Sequence, residues 1–257
     1  MKQRTLKRVS GTVAFLAALA FIVKFAGPNI LKLYIELGVG NCRTIPILCM
    51  LPEDKIITPG QVNKGYIEKM DAYHFSKMSI SVPRGFSVTQ ETITKDYYKN
   101  REKRYRDAAV YVLYEEKDFF IDLFPQLKKK GINDNYEFIK RVMYARINDI
   151  SGITDMFFII MKGIFTPDLG DQKNVKMAQF RMRDRKGFIN YNLGDQSKIA
   201  SSAPGAPPRN DGYAPVNYFD CNVISDKGGF FKIYIKDEGA RLDLNWVLAI
   251  ISTLDNT

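Results

Sequence analysis

Three cysteines (Cys42, Cys49 and Cys221) and a single histidine (His74) are the only thiols and imidazole in the chain. Any nucleophile–histidine pair has to use His74. That residue stands at the start of a segment with strand character, and no Gly-x-Ser-x-Gly elbow accompanies it. The spacing of Cys42 and Cys49, with His74 far along the chain, does not suit a zinc site, where closely spaced Cys and His ligands are needed to close a tetrahedron. No Gly-x-x-x-x-Gly-Lys-Ser/Thr loop and no Gly-x-Gly-x-x-Gly turn is present to cradle phosphates. No catalytic residue, cofactor or metal is therefore assigned from sequence.

Acids are the remaining source of acid–base chemistry. Glu115, Glu116, Asp118 and Asp122 cluster, and two of them held in one cleft would make an acid and a base. The preferred reading is a solvated loop running into the first turn of a helix, where acids are favourable. Asp168, Asp171 and Asp195 flank glycine-rich segments without calcium-loop spacing and are read as turn and cap residues.

The densest charge run is Lys95–Arg106, KDYYKNREKRYR. Lys99, Arg101, Lys103, Arg104 and Arg106 alternate there with tyrosines, a composition that suits single-stranded nucleic acid as well as anionic surfaces. A domain outside the cytoplasm rarely meets nucleic acid, so none is expected as a partner. The functional reading of the five basic residues is contact with lipid headgroups or an acidic partner. A solvated surface stretch with the tyrosines partly packed is the preferred reading.

Location follows from the first residues. Met1–Ser10 carries Lys2, Arg4, Lys7 and Arg8 and no acid, and Gly11–Val23 (GTVAFLAALAFIV) is uncharged. Basic residues before an apolar run keep that end in the cytoplasm. The uncharged core is shorter than the roughly 20 residues of a full span, but apolar residues resume after Lys24, from Ile30 to Leu37, with Pro28 between. A cleaved secretory signal is the rival reading, although no small-x-small cleavage site follows Val23. Both readings export the rest of the chain. Of the net charge of +10, half lies in residues 1–36, so the remainder is only modestly basic.

Export makes disulfides admissible. Cys42 and Cys49 enclose a loop short enough to close, with Pro46 to turn it. A Cys42–Cys49 bridge is the adopted reading, and two reduced, buried cysteines are the alternative. Cys221 is expected in the core of a strand.

The elements that would position these residues are legible in part. Leu51–Asp71 is polar and reads as a linker or a capping segment. Met78, Ile80 and Val82 alternate with polar neighbours, and Phe86-Ser-Val-Thr continues as a second strand after a Pro-Arg-Gly turn. Ala108–Glu115 reads as a central strand. Asp118–Lys130 has helical spacing broken at Pro125. Asp134 and Glu137 resemble a capping box for the next helix. Ile153–Phe165 is an apolar helix too short to span a bilayer. Val175–Met182 and Gly187–Leu193 form one hairpin, and Val216–Ser225 and Phe230–Lys236 another around Asp-Lys-Gly-Gly. Ser197–Pro215 reads as a loop. Asp243 caps a last helix whose stripe is Leu244, Val247, Leu248, Ile251 and Leu254, with Trp246 at its flank.

An early strand with a Pro-Gly-aromatic step (ISVPRGFSV, 80–88), a helical middle, and a terminal strand pair followed by an amphipathic helix (FFKIYIKDEGARLDLNWVLAIISTL) resemble the Mog1/PsbP-like α/β/α sandwich over about residues 74–254. That resemblance implies a binding or assembly role more often than catalysis, and it transfers no functional residue.

The fold class expected is α+β: a mostly antiparallel sheet packed with helices, preceded by one transmembrane helix. Residues 1–10 are the cytoplasmic basic end, 11–37 the anchor, 38–71 a linker with the disulfide loop, and 72–257 an exported globular domain. The function expected is a non-enzymatic, single-pass membrane-anchored binding or assembly protein of the cell envelope. Its partners are the lipid bilayer and another envelope protein. The alternative is an envelope hydrolase with an acidic site.

Overall fold

The computed structural model of the chain describes residues 27–255 apart from 39, 59–63, 76, 90–91, 96–97, 101–102, 106–107, 195–215 and 239. The described helices are α1 (Gly27–Gly38), α2 (Lys64–Ile67), α3 (Phe119–Leu123), α4 (Asn135–Tyr144), α5 (Ile153–Phe165) and α6 (Leu244–Ser252). The strands are β1 (Glu53–Ile57), β2 (Met70–His74), β3 (Ser79–Pro83), β4 (Ser87–Thr89), β5 (Thr92–Lys95), β6 (Tyr98–Asn100) and β7 (Lys103–Tyr105). They continue with β8 (Ala108–Glu115), β9 (Lys176–Arg181), β10 (Arg185–Asn192), β11 (Asn217–Ser225) and β12 (Phe230–Asp237). The backbone divides into two units, Met1–Met50 with Ala145–Phe165, and Leu51–Tyr144 with Thr166–Thr257.

In the first unit α1 starts with Pro28 in its first turn, where a missing N–H costs nothing. It ends where Gly40 N donates to Ile35 O at 3.0 Å. Asn41 then folds the chain back, its Oδ1 accepting from Arg43 N (2.9 Å) and Thr44 N (3.1 Å). Pro46 opens a 3-10 turn, Pro46–Cys49, and Cys42 and Cys49 are bridged, with Cα atoms 5.6 Å apart. Helix α5 has the bounds expected from its sequence. It packs on α1 and on the 3-10 turns Pro46–Cys49 and Ile147–Asp149. Ile35, Ile47, Leu48, Ile147, Phe158 and Ile159 are buried in this unit. So is Lys162, whose Nζ donates to Met50 O (2.8 Å) and Ala145 O (2.9 Å). Burial, and secondarily the Arg146 charge, push the Lys162 ammonium down to about 7.

The second unit is α+β, with a mixed sheet packed against helices. Its eight strands run β1-β9-β10-β11-β12-β8-β5-β4. Every neighbouring pair is antiparallel except β1 with β9. The hairpins expected at 175–193 and 216–236 are β9–β10 and β11–β12. β10 and β11 approach so closely that a Cβ on Gly187 would lie 1.9 Å from Asn222 O, so only glycine fits there. Segment 38–71, read as a linker, holds β1 and α2 as well as the disulfide loop. The charged Glu-Asp-Lys start of β1 is what a sheet edge tolerates, and it hides the strand from an apolar pattern search.

One sheet face carries Ile189, Phe219, Cys221, Val223, Phe231, Ile233 and Ile235 against α6. Asp243 caps that helix by accepting from Trp246 N at 2.9 Å, and Arg185 Nη1 donates to Ile251 O and Leu254 O at its C-terminal end. Val247, Leu248, Ile251 and Leu254 of the expected stripe are buried and Leu244 is partly buried, but Ala249 and Ile250 are buried too, because the β2–β3 hairpin lies over the helix. There Ser81 N donates to Thr253 Oγ1 at 2.8 Å and Ser79 N to Asp255 O at 2.7 Å. Trp246 is half-buried at the flank, edge-on to Tyr66; the 197–215 loop lies outside the described residues.

The opposite face meets α3 and α4. Pro125 ends the first run and opens the 3-10 turn Pro125–Lys130. Asp134 accepts from Glu137 N at 2.7 Å, and Glu137 reaches back to Asn133 N, one residue before the position a capping box uses. Phe138 stacks on Phe120, and Tyr136 and Tyr144 meet Phe188 of β10.

Candidate functional site

Alternation along β12 sends Phe231, Ile233 and Ile235 to the α6 core and leaves Lys232, Tyr234 and Lys236 on the other face. Register then brings that face's polar residues together: Asn222 opposite Lys232, Asp220 opposite Tyr234, and Asn190 opposite Asp220. Lys232 Nζ lies 2.5 Å from Asp220 Oδ1 and 3.1 Å from Asn222 Oδ1, and Asn190 Nδ2 donates to Asp220 Oδ2 at 3.0 Å. Asp220 is fully buried while the Lys232 side chain keeps 17% of its surface. Burial pushes the Asp220 carboxyl up, and Lys232 pulls it back towards ionisation. Asn190 Oδ1 is buried without a hydrogen-bond partner among the described residues.

This cluster lies at a border. Helix α4 packs on β10 and β11, whereas on neighbouring β8 Tyr111 and Leu113 are 42% and 49% exposed. They pair with Tyr234 and Lys232 respectively. The Tyr111 and Tyr234 rings sit 5.9 Å apart, and the Tyr234 hydroxyl donates to Asp168 O at 2.9 Å. Burial raises the Tyr234 phenol far above its usual range, so it remains a neutral donor. Lys236 pairs with Glu238 at 2.6 Å. The β8–β12 strip is thus a floor of rings, one leucine and two lysines whose charges are already matched. It offers contact area and hydrogen bonds.

Set against protein-family models and curated protein sequences, the chain matches none.

The residues singled out from sequence fall in three places. Lys99 and Arg104, and Asn100 and Lys103, are cross-strand pairs of the β6–β7 ribbon. Its register has the same offset as the β5–β8 ladder, which ends at Lys95 opposite Ala108. Lys99, Lys103 and Arg104 are thereby brought together along the backbone of one two-stranded ribbon; Arg101 and Arg106 lie outside the described residues.

Glu115, Glu116 and Asp122 do share a recess, of about 470 Å³, with Lys77 and Lys117; Asp118 is not in its lining. Glu116 accepts from Lys77 at 2.9 Å, and that ammonium holds its carboxyl below the usual range. Both side chains are about two-thirds exposed, so the pair is a surface ion contact. His74 is exposed at the end of β2. Asp168 and Asp171 close turns, accepting from Gly170 N and Lys173 N, and Asp195 lies outside the described residues. Among the described residues no group of His, Cys, Asp or Glu is placed to hold a metal.

Sequence reading missed the Asn190–Asp220–Asn222–Lys232 cluster. Its signal was there: polar residues two apart inside otherwise apolar strands, Asn190/Asn192 and Asp220/Asn222, with a lysine across a hairpin whose turn fixes the register.

Proposed function

We propose that the protein is a non-enzymatic, membrane-anchored binding or assembly protein of the cell envelope, with its sheet domain outside the cytoplasm. The open β8–β12 strip carries this reading. It presents exposed Tyr111 and Leu113 beside ion-paired Lys232 and Lys236, the mixture of ring, aliphatic and polar groups that partner surfaces use. Lys99, Arg101, Lys103, Arg104 and Arg106 add a basic arm for an acidic partner or for headgroups.

The Cys42–Cys49 bridge supports export, because such bonds persist in oxidising compartments. The basic stretch before Gly11–Val23 supports a cytoplasmic N-terminus. That stretch and most of the anchor expected at 11–37 lie in residues 1–26, outside the described region; among the described residues no helix is long and apolar enough to cross a membrane. The Mog1/PsbP likeness belongs to the same proposal, supported by α6 on one sheet face and α4 on the other.

The hydrolase reading draws on the recess shared by Glu115, Glu116 and Asp122. A general acid has to keep its proton near neutral pH, and the fall in Glu116's pKa works against that.

A photo-crosslinking residue in place of Leu113, in the full chain in its own membranes, should capture one discrete partner. The same residue in place of exposed Lys173 should capture none. Equal, diffuse labelling from both positions would remove the β8–β12 strip from the account.

A further inference from the structure

We infer that α1 lies along the bilayer surface and inserts a stripe formed by Ile30, Leu33, Tyr34 and Leu37 into the boundary between headgroups and acyl chains. The inference rests on the anchored reading and narrows its bounds: of the segment 11–37, only the part before Gly27 crosses the bilayer, and α1 does not. The four side chains are between 54% and 80% exposed. Their three- and four-residue spacing puts them on one side of the helix. The other side is occupied: Ile35 is fully buried, and Lys32 reaches Asn148 Oδ1 at 3.3 Å and Glu36 at 3.9 Å. Helix α1 is therefore held within its own unit, against α5, and still turns a continuous apolar edge outward. A contiguous exposed patch of this kind calls for a covering surface.

Chain length says which surface. Only Lys24, Phe25 and Ala26 separate the uncharged run Gly11–Val23 from Gly27 at the start of α1. Val23 and Gly27 are four steps apart along the chain, at most about 14 Å. With Val23 at the edge of the hydrocarbon, α1 begins within reach of the headgroup layer, where interfacial helices lie. The sequence suits that position: Tyr34 is an interfacial aromatic, and Lys24 precedes the helix with a positive charge for anionic headgroups. A second copy of the chain is a poorer match, since the stripe exposes on the order of 500 Å² against about 800 Å² per partner in a standard interface. Helix α5 adds exposed Ile153 and Ile164 to the same unit.

The test uses the full chain in vesicles of phosphatidylcholine and phosphatidylglycerol. Cys42 and Cys49 are bridged and Cys221 is buried, so a thiol-reactive fluorophore reports on Leu33→Cys alone, with Lys173→Cys as reference. The Leu33→Cys label should be quenched several-fold more by brominated lipid, and several-fold less by aqueous iodide, than the reference. Iodide quenching equal to the reference, in a chain that still resists alkaline extraction, would overturn the interfacial helix and leave the anchor standing. Energy transfer between labels on neighbouring chains would overturn it in favour of a dimer. Release of the chain by alkali would overturn both.

Discussion

Lys232 and Asp220 form the ion pair whose removal says most about the sheet. Their mutual attraction offsets part of the cost of burying the Asp220 carboxylate. Lys232→Met leaves Asp220 buried without its counter-charge and should cost about 3–5 kcal/mol. In urea denaturation, the double variant with Asp220→Asn should lose much less than the sum of the single losses. Strict additivity would mean that the two charges do not interact.

Lys162 makes a prediction about pH. An unfolded lysine titrates near 10.5, and the folded one is pushed down to about 7. Between those values the unfolded chain binds the extra proton, so stability rises with pH across that window, and the whole penalty is present below about 7. Relative to Lys162→Met, the natural protein should gain on the order of a few kcal/mol between pH 6 and pH 10. Parallel melting profiles of the two proteins would contradict a buried, depressed ammonium. The Cys42–Cys49 bridge was readable from sequence because a short loop and Pro46 are local. The Lys162 environment was not, because its acceptor Met50 lies 112 residues away along the chain.

Elements were legible where one periodicity governed both faces. β8 and α5 have the bounds their sequences suggested. β1 was hidden by its edge composition. The stripe on α6 was found, but not the second surface above it, since nothing in LNWVLAIIS says that a β2–β3 hairpin will cover Ala249 and Ile250. Burial on both sides sharpens the helix's mutational contrast. Leu248→Ala should cost about 2–5 kcal/mol as a core truncation. Asn245→Ala, at an exposed position, should cost about 0.5 kcal/mol or less. Equal, small shifts in thermal melts would mean that α6 is not packed on the sheet.

At the scale of the whole molecule, charge and apolar surface are divided between regions. Half the net charge of +10 sits in residues 1–36, and the unit that begins there exposes Ile30, Leu33, Tyr34 and Leu37. The sheet unit instead presents the β8–β12 strip. Fold class was readable because the hairpins and helices carry strong local signals. The strip was not, because exposure of Tyr111 and Leu113 depends on which half of the sheet α4 leaves bare. If an anchor delivers this sheet to the far side of a membrane, a reporter fused after Thr257 will be carried there with it. An enzyme active only outside the cytoplasm should be active there, and should lose activity when Lys2, Arg4, Lys7 and Arg8 are made neutral. A reporter that works only inside the cytoplasm, active at the same fusion point, would contradict the account.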